Sequence, residues 1–183
     1  MRKKFVVLFC LLILPVCFLF FPYQRLFNNG NISKTQREEL KISGVEAALK
    51  NEVPVGSLLI YKNEIIGRGK NSVNADTNIA AHAEINALND AIKKIGFAEF
   101  KKLKRDSLFL ITTFEPCPMC CGALSENNIE HVIVLQKKSL SYKLREWKRG
   151  YTVQKQMQFV SGDNLQDSLF KIVPGVNIKE INY

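Results

Sequence analysis

The chain reads as an α/β protein: a mixed five-stranded sheet covered by helices on both faces, preceded by an apolar N-terminal segment. Three observations predict this. From residue 53 to residue 160 short β-type runs alternate with helical stretches, the pattern of a sheet with covering helices. The first two runs are joined by a turn too short for a crossover, so they pair antiparallel. The later ones are separated by helices and pair parallel. Two helix starts carry chemistry, H-x-E at 82–84 and P-C-x-x-C at 116–120. The expected topology brings both to the carboxyl ends of neighbouring strands.

At 183 residues there is room for one domain with a proper core and appendages. The net charge is +9, three of it from Arg2, Lys3 and Lys4. Residues 5–21 are apolar without interruption, and no A-x-A cleavage pattern follows them. Residues 1–22 therefore read as a signal peptide or membrane anchor. The basic start places the N-terminus in the cytoplasm and the domain on the non-cytoplasmic side. Leu14–Pro15–Val16–Cys17 is a poor lipoprotein box, because Val16 is too large for the position before the cysteine. A leader that goes unused would leave the domain in the cytoplasm. Residues 23–34 form a polar tether, and the domain occupies 35–183.

Thr35 and Glu38 have capping-box spacing, and Leu40, Val45, Ala48 and Leu49 continue as a helical stripe. Gly44 weakens that helix. Residues 53–61 and 65–69 are strands joined by a short turn. Residues 81–95 form a helix ended by Gly96, and residues 96–106 a basic connection. A buried strand follows at 107–112, a helix at 117–127 and a strand at 131–135. Residues 139–150 are basic and helical in pattern. Residues 153–160 alternate as a fifth strand, and 164–172 fit a short helix before Pro174.

The chemistry lies in two segments. Cys117 and Cys120 are three apart and share a face at a helix start, where Pro116 and Pro118 are well tolerated. The helix dipole favours their thiolates. A lone C-x-x-C is weak evidence, since redox, structural and accidental pairs share the spacing. His82 supplies a third ligand from the other helix start, and Glu84 reaches round from its first turn. His82, Cys117 and Cys120 give Zn²⁺ three protein ligands and one open position, as catalytic zinc requires. Two thiolates and a neutral imidazole cancel the ion's charge, so its water is acidified less than at a three-histidine site. A carboxylate beside it, Glu84, serves as the base. Backbone N–H groups at Ala83 and Cys117 lie at the two helix starts and are placed to orient water or developing charge.

H-x-E followed by P-C-x-x-C is the signature of zinc-dependent nucleobase deaminases. The segments VPVGS (53–57), GKN (69–71), AHAEINAL (81–88) and TFEPCPMCCGAL (113–124) carry a closer likeness. Over residues 36–135 the chain resembles the cytidine/deoxycytidylate deaminase superfamily, most closely its branch of TadA-like transfer-RNA adenosine deaminases and guanine deaminases. The resemblance implies a three-layer α/β/α cytidine-deaminase-like fold, a homodimer, and a substrate contact from Asn71. It also implies hydrolytic replacement of an exocyclic amine by a carbonyl, with release of ammonia.

The chain departs from the TadA pattern after the strand at 131–135, where it reads QKKSLSYKLREWKRG, and again at its Pro174–Gly175 end. A free base, nucleoside or nucleotide is thus the favoured substrate, and adenosine in transfer RNA the alternative. A non-catalytic zinc-stabilised binding module is a third reading, in which His131 completes a closed site and Glu84 is an ordinary surface residue. Residues 93–105 and 137–149 each hold six basic side chains and one acidic one. Such runs are solvated faces unless they meet RNA phosphates or anionic lipid near the anchor. Tyr142 and Trp147 read as packed residues, with base stacking the other use open to them. Phe114 reads as core, and the resemblance implies that Glu115 is a structural helper. Cys121 reads as a small buried helix residue.

Overall fold

The computed structural model describes residues 32–158, and all but Ile32 of these fall in the unit that begins at Ser33. Helix α1 spans Lys34–Ala48, strand β1 Gly56–Tyr61 and strand β2 Glu64–Lys70. Helix α2 spans Ala83–Ile95 and helix α3 Phe97–Lys102. Strand β3 is Leu108–Phe114, helix α4 Pro118–Glu126, strand β4 His131–Gln136 and helix α5 Leu140–Gln156. The sheet order is β2-β1-β3-β4. β1 pairs antiparallel with both β2 and β3, and β3 pairs parallel with β4.

The sheet has four strands among the described residues, not five. The alternation expected to make a fifth strand begins at Val153, but Val153–Gln156 continue α5. Four alternating residues on a helix already under way are easier to keep helical than to unwind. The short helix expected at 164–172 and the segment 1–22 lie outside the described residues. Among the described residues no helix is long and apolar enough to cross a membrane.

Helix α1 begins two residues earlier than Thr35–Glu38 predict. Its capping box is Ser33 and Gln36: Gln36 N donates to Ser33 Oγ at 3.1 Å, and Ser33 N donates to Gln36 Oε1 at 2.9 Å. The expected hairpin is present, with Lys62 and Asn63 both at positive φ between the paired Tyr61 and Glu64. Those angles suit the twist of a two-residue hairpin. The basic connection after Gly96 (φ 84°) contains α3 and a 3₁₀ turn at Arg105–Ser107, held by the fully buried Phe100.

Alternation along β1 and β2 sends successive residues to opposite faces. Arg68 and Lys70 pair with Glu39 and Glu46 of α1 on one face. Gly67 and Gly69 lie under α2 on the other. There Leu59, Ala87, Leu88, Ala91, Phe100, Leu108, Leu110, Leu124 and Ile129 form the core, so α1 and α2 cover opposite faces. The fit of α2 is close. A Cβ on Gly69 would stand 2.0 Å from Ala83 O, and one on Gly67 2.1 Å from Ala87 O. Glycine lets the helix backbone rest on the strand, which fixes the height of its first turn.

Candidate active site

Both ligand-bearing helices start the same way. His82 is the N-cap of α2 (φ −76°, ψ 156°) and Cys117 the N-cap of α4 (φ −79°, ψ 166°), with Pro118 in the first turn. Neither side chain caps its helix. Extended backbone at the cap swings each side chain off the helix end toward the other. Cys120, one turn into α4, completes a triangle. His82 Nδ1 is 3.6 Å from Cys117 Sγ and 3.5 Å from Cys120 Sγ, and the two sulfurs are 3.5 Å apart.

Those separations match the edges of a zinc tetrahedron. With Zn–S near 2.3 Å and Zn–N near 2.0–2.1 Å, tetrahedral angles set S···N at about 3.6 Å and S···S at about 3.8 Å. Two sulfurs and one imidazole nitrogen are the donor set zinc prefers. Among the described residues these three form the one cluster of His, Cys and acidic side chains able to hold a metal. His131 does not join it. It starts β4 opposite Phe109, at the other end of the strand from Cys117, and stacks on the Phe109 ring at 5.0 Å.

Glu84 is buried in the first turn of α2, and its Oε2 lies 3.6 Å from Cys120 Sγ. Burial raises its carboxyl above the usual range. Cys117 moves the other way, lowered to about 5 by the hydrogen bond from Cys120. Cys120 is raised, since it faces that thiolate and is buried. Zinc, when bound, takes both sulfurs as thiolates.

Beside this cluster is a cavity of about 270 Å³, near the lower end of the range for ligand pockets. His82, Glu84 and Cys117 form its floor, and Val53, Val55, Val73 and Phe114 supply apolar wall. Asn71 lines it, and its Nδ2 donates to Glu52 Oε2 at 3.0 Å. A carboxylate only accepts, so the Asn71 amide is oriented with its nitrogen inward, and its oxygen is left to meet a ligand. Asn86 Nδ2 donates to Lys70 O and Ser72 Oγ, both at 2.8 Å, and so ties the residues on either side of Asn71 to α2. Ala83 contributes no cavity wall. It is fully buried against Gly69, and only its first-turn N–H, without an intrahelical acceptor, is available to the site.

Several wall residues differ from their sequence readings. Phe114 lines the cavity instead of the core, and Tyr142 lines it from α5. Cys121 is exposed, because α4 turns that position to solvent. Glu115 does act as a helper: it accepts from Lys138 N at 2.9 Å and pairs with Lys143 Nζ at 2.7 Å. Glu52, Lys138 and Glu146 were not singled out by sequence. Lys138 Nζ is almost wholly buried, donating to Glu146 Oε1 at 2.7 Å and Pro116 O at 3.2 Å. An acid next to a strand and a lysine inside a basic run gave no local signal of burial.

A family model for the cytidine and deoxycytidylate deaminase zinc-binding region matches residues 35–136. The chain belongs to that family. Its members are hydrolytic deaminases, and the His/Cys/Cys group fits the zinc they bind. Among relatives of this chain, tRNA-specific adenosine deaminase 2 of Danio rerio is 43% identical over 91 residues, 49% of this chain and 42% of the relative. The tRNA-specific adenosine deaminase of Buchnera aphidicola subsp. Schizaphis graminum is 39% identical over 82 residues, 45% and 51%. A tRNA(Ile)-lysidine synthase of Deinococcus deserti is 40% identical over 89 residues, 48% of this chain and 16% of the relative. The chain thus spans about half the length of these relatives or less.

Guanine deaminase from Bacillus subtilis shares the fold, with a TM-score of 0.61 at 20% identity over 80% of this chain and 98% of that one. A structure from a study of A-to-I editing by tRNA:A34 deaminases matches at TM-score 0.50 and 27% identity, over 57% and 76%. The expectation of a membrane-anchored or exported catalytic domain is overturned. The relatives are named as transfer-RNA enzymes, and no described helix is long and apolar enough for a span.

Proposed function

We propose that this deaminase converts adenosine to inosine within an RNA, using zinc held by His82, Cys117 and Cys120. The observation that carries the chemistry is the buried Glu84 carboxylate beside the three-ligand cluster on the cavity floor. The RNA substrate is supported by the 39–43% identity to tRNA-specific adenosine deaminases.

Zinc, when bound, supplies Lewis acidity that lowers the pKa of a water. The remaining work falls to the chain. Glu84, with its raised pKa, takes a proton from the attacking water. The water oxygen bonds to the ring carbon that bears the exocyclic amine. Glu84 returns the proton to the adjacent ring nitrogen. It then carries the second water proton to the amine, which leaves as ammonia, and a carbonyl remains. The Asn71 amide oxygen, held outward by Glu52, accepts from a substrate N–H or hydroxyl. The first-turn N–H groups of Ala83 and the helix start at Cys117 orient the developing oxyanion. The apolar wall excludes bulk water from the reacting centre.

A free nucleobase or nucleoside is the second reading, favoured by the small cavity with the buried Lys138–Glu146 pair in its wall. Ammonia release from the zinc-loaded protein separates the two. Anticodon stem-loops are assayed against bases and nucleosides, with Glu84→Ala as control. Release from a stem-loop alone supports the RNA reading. Release from a small substrate, uninhibited by stem-loops, replaces it.

A further inference from the structure

Helix α5 is the one α-helix among the described residues with no buried residue. It is nevertheless fixed in place. The buried Lys138–Glu146 pair and the Lys143–Glu115 pair, both at 2.7 Å, tie its first half to the turn that carries Cys117. Tyr142 and Glu146 face the cavity. One residue on, Trp147 and Tyr151 stack on each other, with ring centroids 5.7 Å apart and 12° between planes. Yet they are 68% and 54% exposed. Arg145 stands over the Tyr142 ring at 5.4 Å, and Arg145, Lys148 and Arg149 line a shallow groove alongside. The helix holds five basic side chains and one acidic one.

We propose that Trp147 and Tyr151 form a stacking platform for the unpaired nucleotides that flank the reacting one in an RNA, while Arg145, Lys148 and Arg149 meet their phosphates. This rests on the RNA reading above. Parallel exposed rings interleaved with cations are what single-stranded nucleic acid recognises, because every base has a π-face and every link a negative charge. The buried Lys138–Glu146 pair and the partly exposed Lys143–Glu115 pair anchor this helix beside the cavity, so a chain with one base in the pocket lays its neighbours across α5. Charge disfavours a second copy of this chain as the occupant. A two-fold contact sets the same patch against itself, and here it would set one cationic helix against another.

Trp147 is the only tryptophan in the chain, so its fluorescence reports on the platform alone. The zinc-loaded full chain is titrated with an RNA stem-loop carrying an unpaired adenosine, and emission, anisotropy of labelled RNA and inosine are followed together. Saturable quenching is expected. The double variant Trp147→Ala/Tyr151→Ala should bind the RNA roughly 5- to 150-fold more weakly with zinc content and circular dichroism unchanged, and Trp147→Phe should keep most of the affinity. RNA binding without quenching overturns the platform, as does unaltered affinity in the double variant. So does tryptophan emission already shielded from acrylamide in the free protein. Shielding at every concentration assigns the surface to the chain's own remaining residues, and shielding only at high concentration assigns it to a second copy. Quenching and weakened variant binding without inosine leave the platform standing and remove the adenosine reading. Inosine formed equally by wild type and double variant removes the platform alone.

Discussion

Glu52 Oε2 accepts a hydrogen bond from Asn71 Nδ2 at 3.0 Å, and both residues are buried at the edge of the cavity. The same carboxylate accepts from Asn74 N at 2.7 Å, Ala75 N at 2.8 Å and Asn74 Nδ2 at 3.3 Å. Four donors converge on one acid, and Asn71 inherits its orientation from it. In Glu52→Gln an NH₂ must face at least one of those donors. Each buried donor left without a partner costs about 1–3 kcal/mol. Urea denaturation should show a loss of that order. Zinc content should stay at wild type while KM rises, because the metal ligands belong to other elements. A parallel loss of zinc in this variant would show that Glu52 supports the whole loop and not the orientation of Asn71.

Glu84→Gln keeps the size of the side chain and removes its ability to shuttle protons. Ammonia release should fall by roughly 10²- to 10⁴-fold. Zinc, assayed by atomic emission, should remain near one per chain. Activity within a few-fold of wild type would assign the proton transfers elsewhere.

Cys117→Ala and His82→Ala each remove one corner of the triangle. Both should lose zinc on dialysis under conditions in which the wild type keeps it. Chelator treatment of the wild type should abolish ammonia release, and added zinc should restore it. The core around Leu59, Ala87 and Phe100 includes none of the three ligands, so far-UV circular dichroism should survive metal removal.

Two glycines should respond in opposite directions. In Gly69→Ala the new methyl meets Ala83 O at 2.0 Å and Ala87 N at 2.3 Å, and backbone atoms cannot swing aside. A destabilisation of at least the ~1–3 kcal/mol typical of overpacking is expected, with zinc affinity falling as α2 shifts. A Cβ at Gly122 of α4 meets nothing within 4 Å. Gly122→Ala should therefore stabilise the helix by up to about 1 kcal/mol. Thermal melts of both variants check the contrast.

Much of the site could be read from the chain because its signals are local. H-x-E and P-C-x-x-C sit at helix starts, and the hairpin, Gly96 and the strand–helix alternation are equally local. What escaped depends on contacts between distant segments. Glu52 looks like any acid before a strand until Asn71, Asn74 and Ala75 fold over it. Lys138 belongs to a basic run, and only the docking of α5 buries it against Glu146. The fifth strand failed because residues 153–156 alternate but follow an established helix, and period-two patterns four residues long do not outweigh that. Cys121 reads as buried and is exposed, because apolar character says little about which way a short helix faces.

The hydroxyls of Ser57 and Thr112 are hydrogen-bonded at 2.8 Å within the β1–β3 pairing, across 55 residues of sequence. That span bears on the order of assembly. β3 leads directly into the turn that carries Cys117, while α2, which carries His82, rests on the β1–β2 hairpin. The halves of the ligand triangle therefore meet only after the long loop between β1 and β3 has closed. Closure of such a loop is a late, non-local step. Zinc is then a passenger on a finished scaffold rather than a nucleus for it. Refolding should proceed at the same rate with or without the ion, and metal should enter afterwards in a step whose rate rises with its concentration.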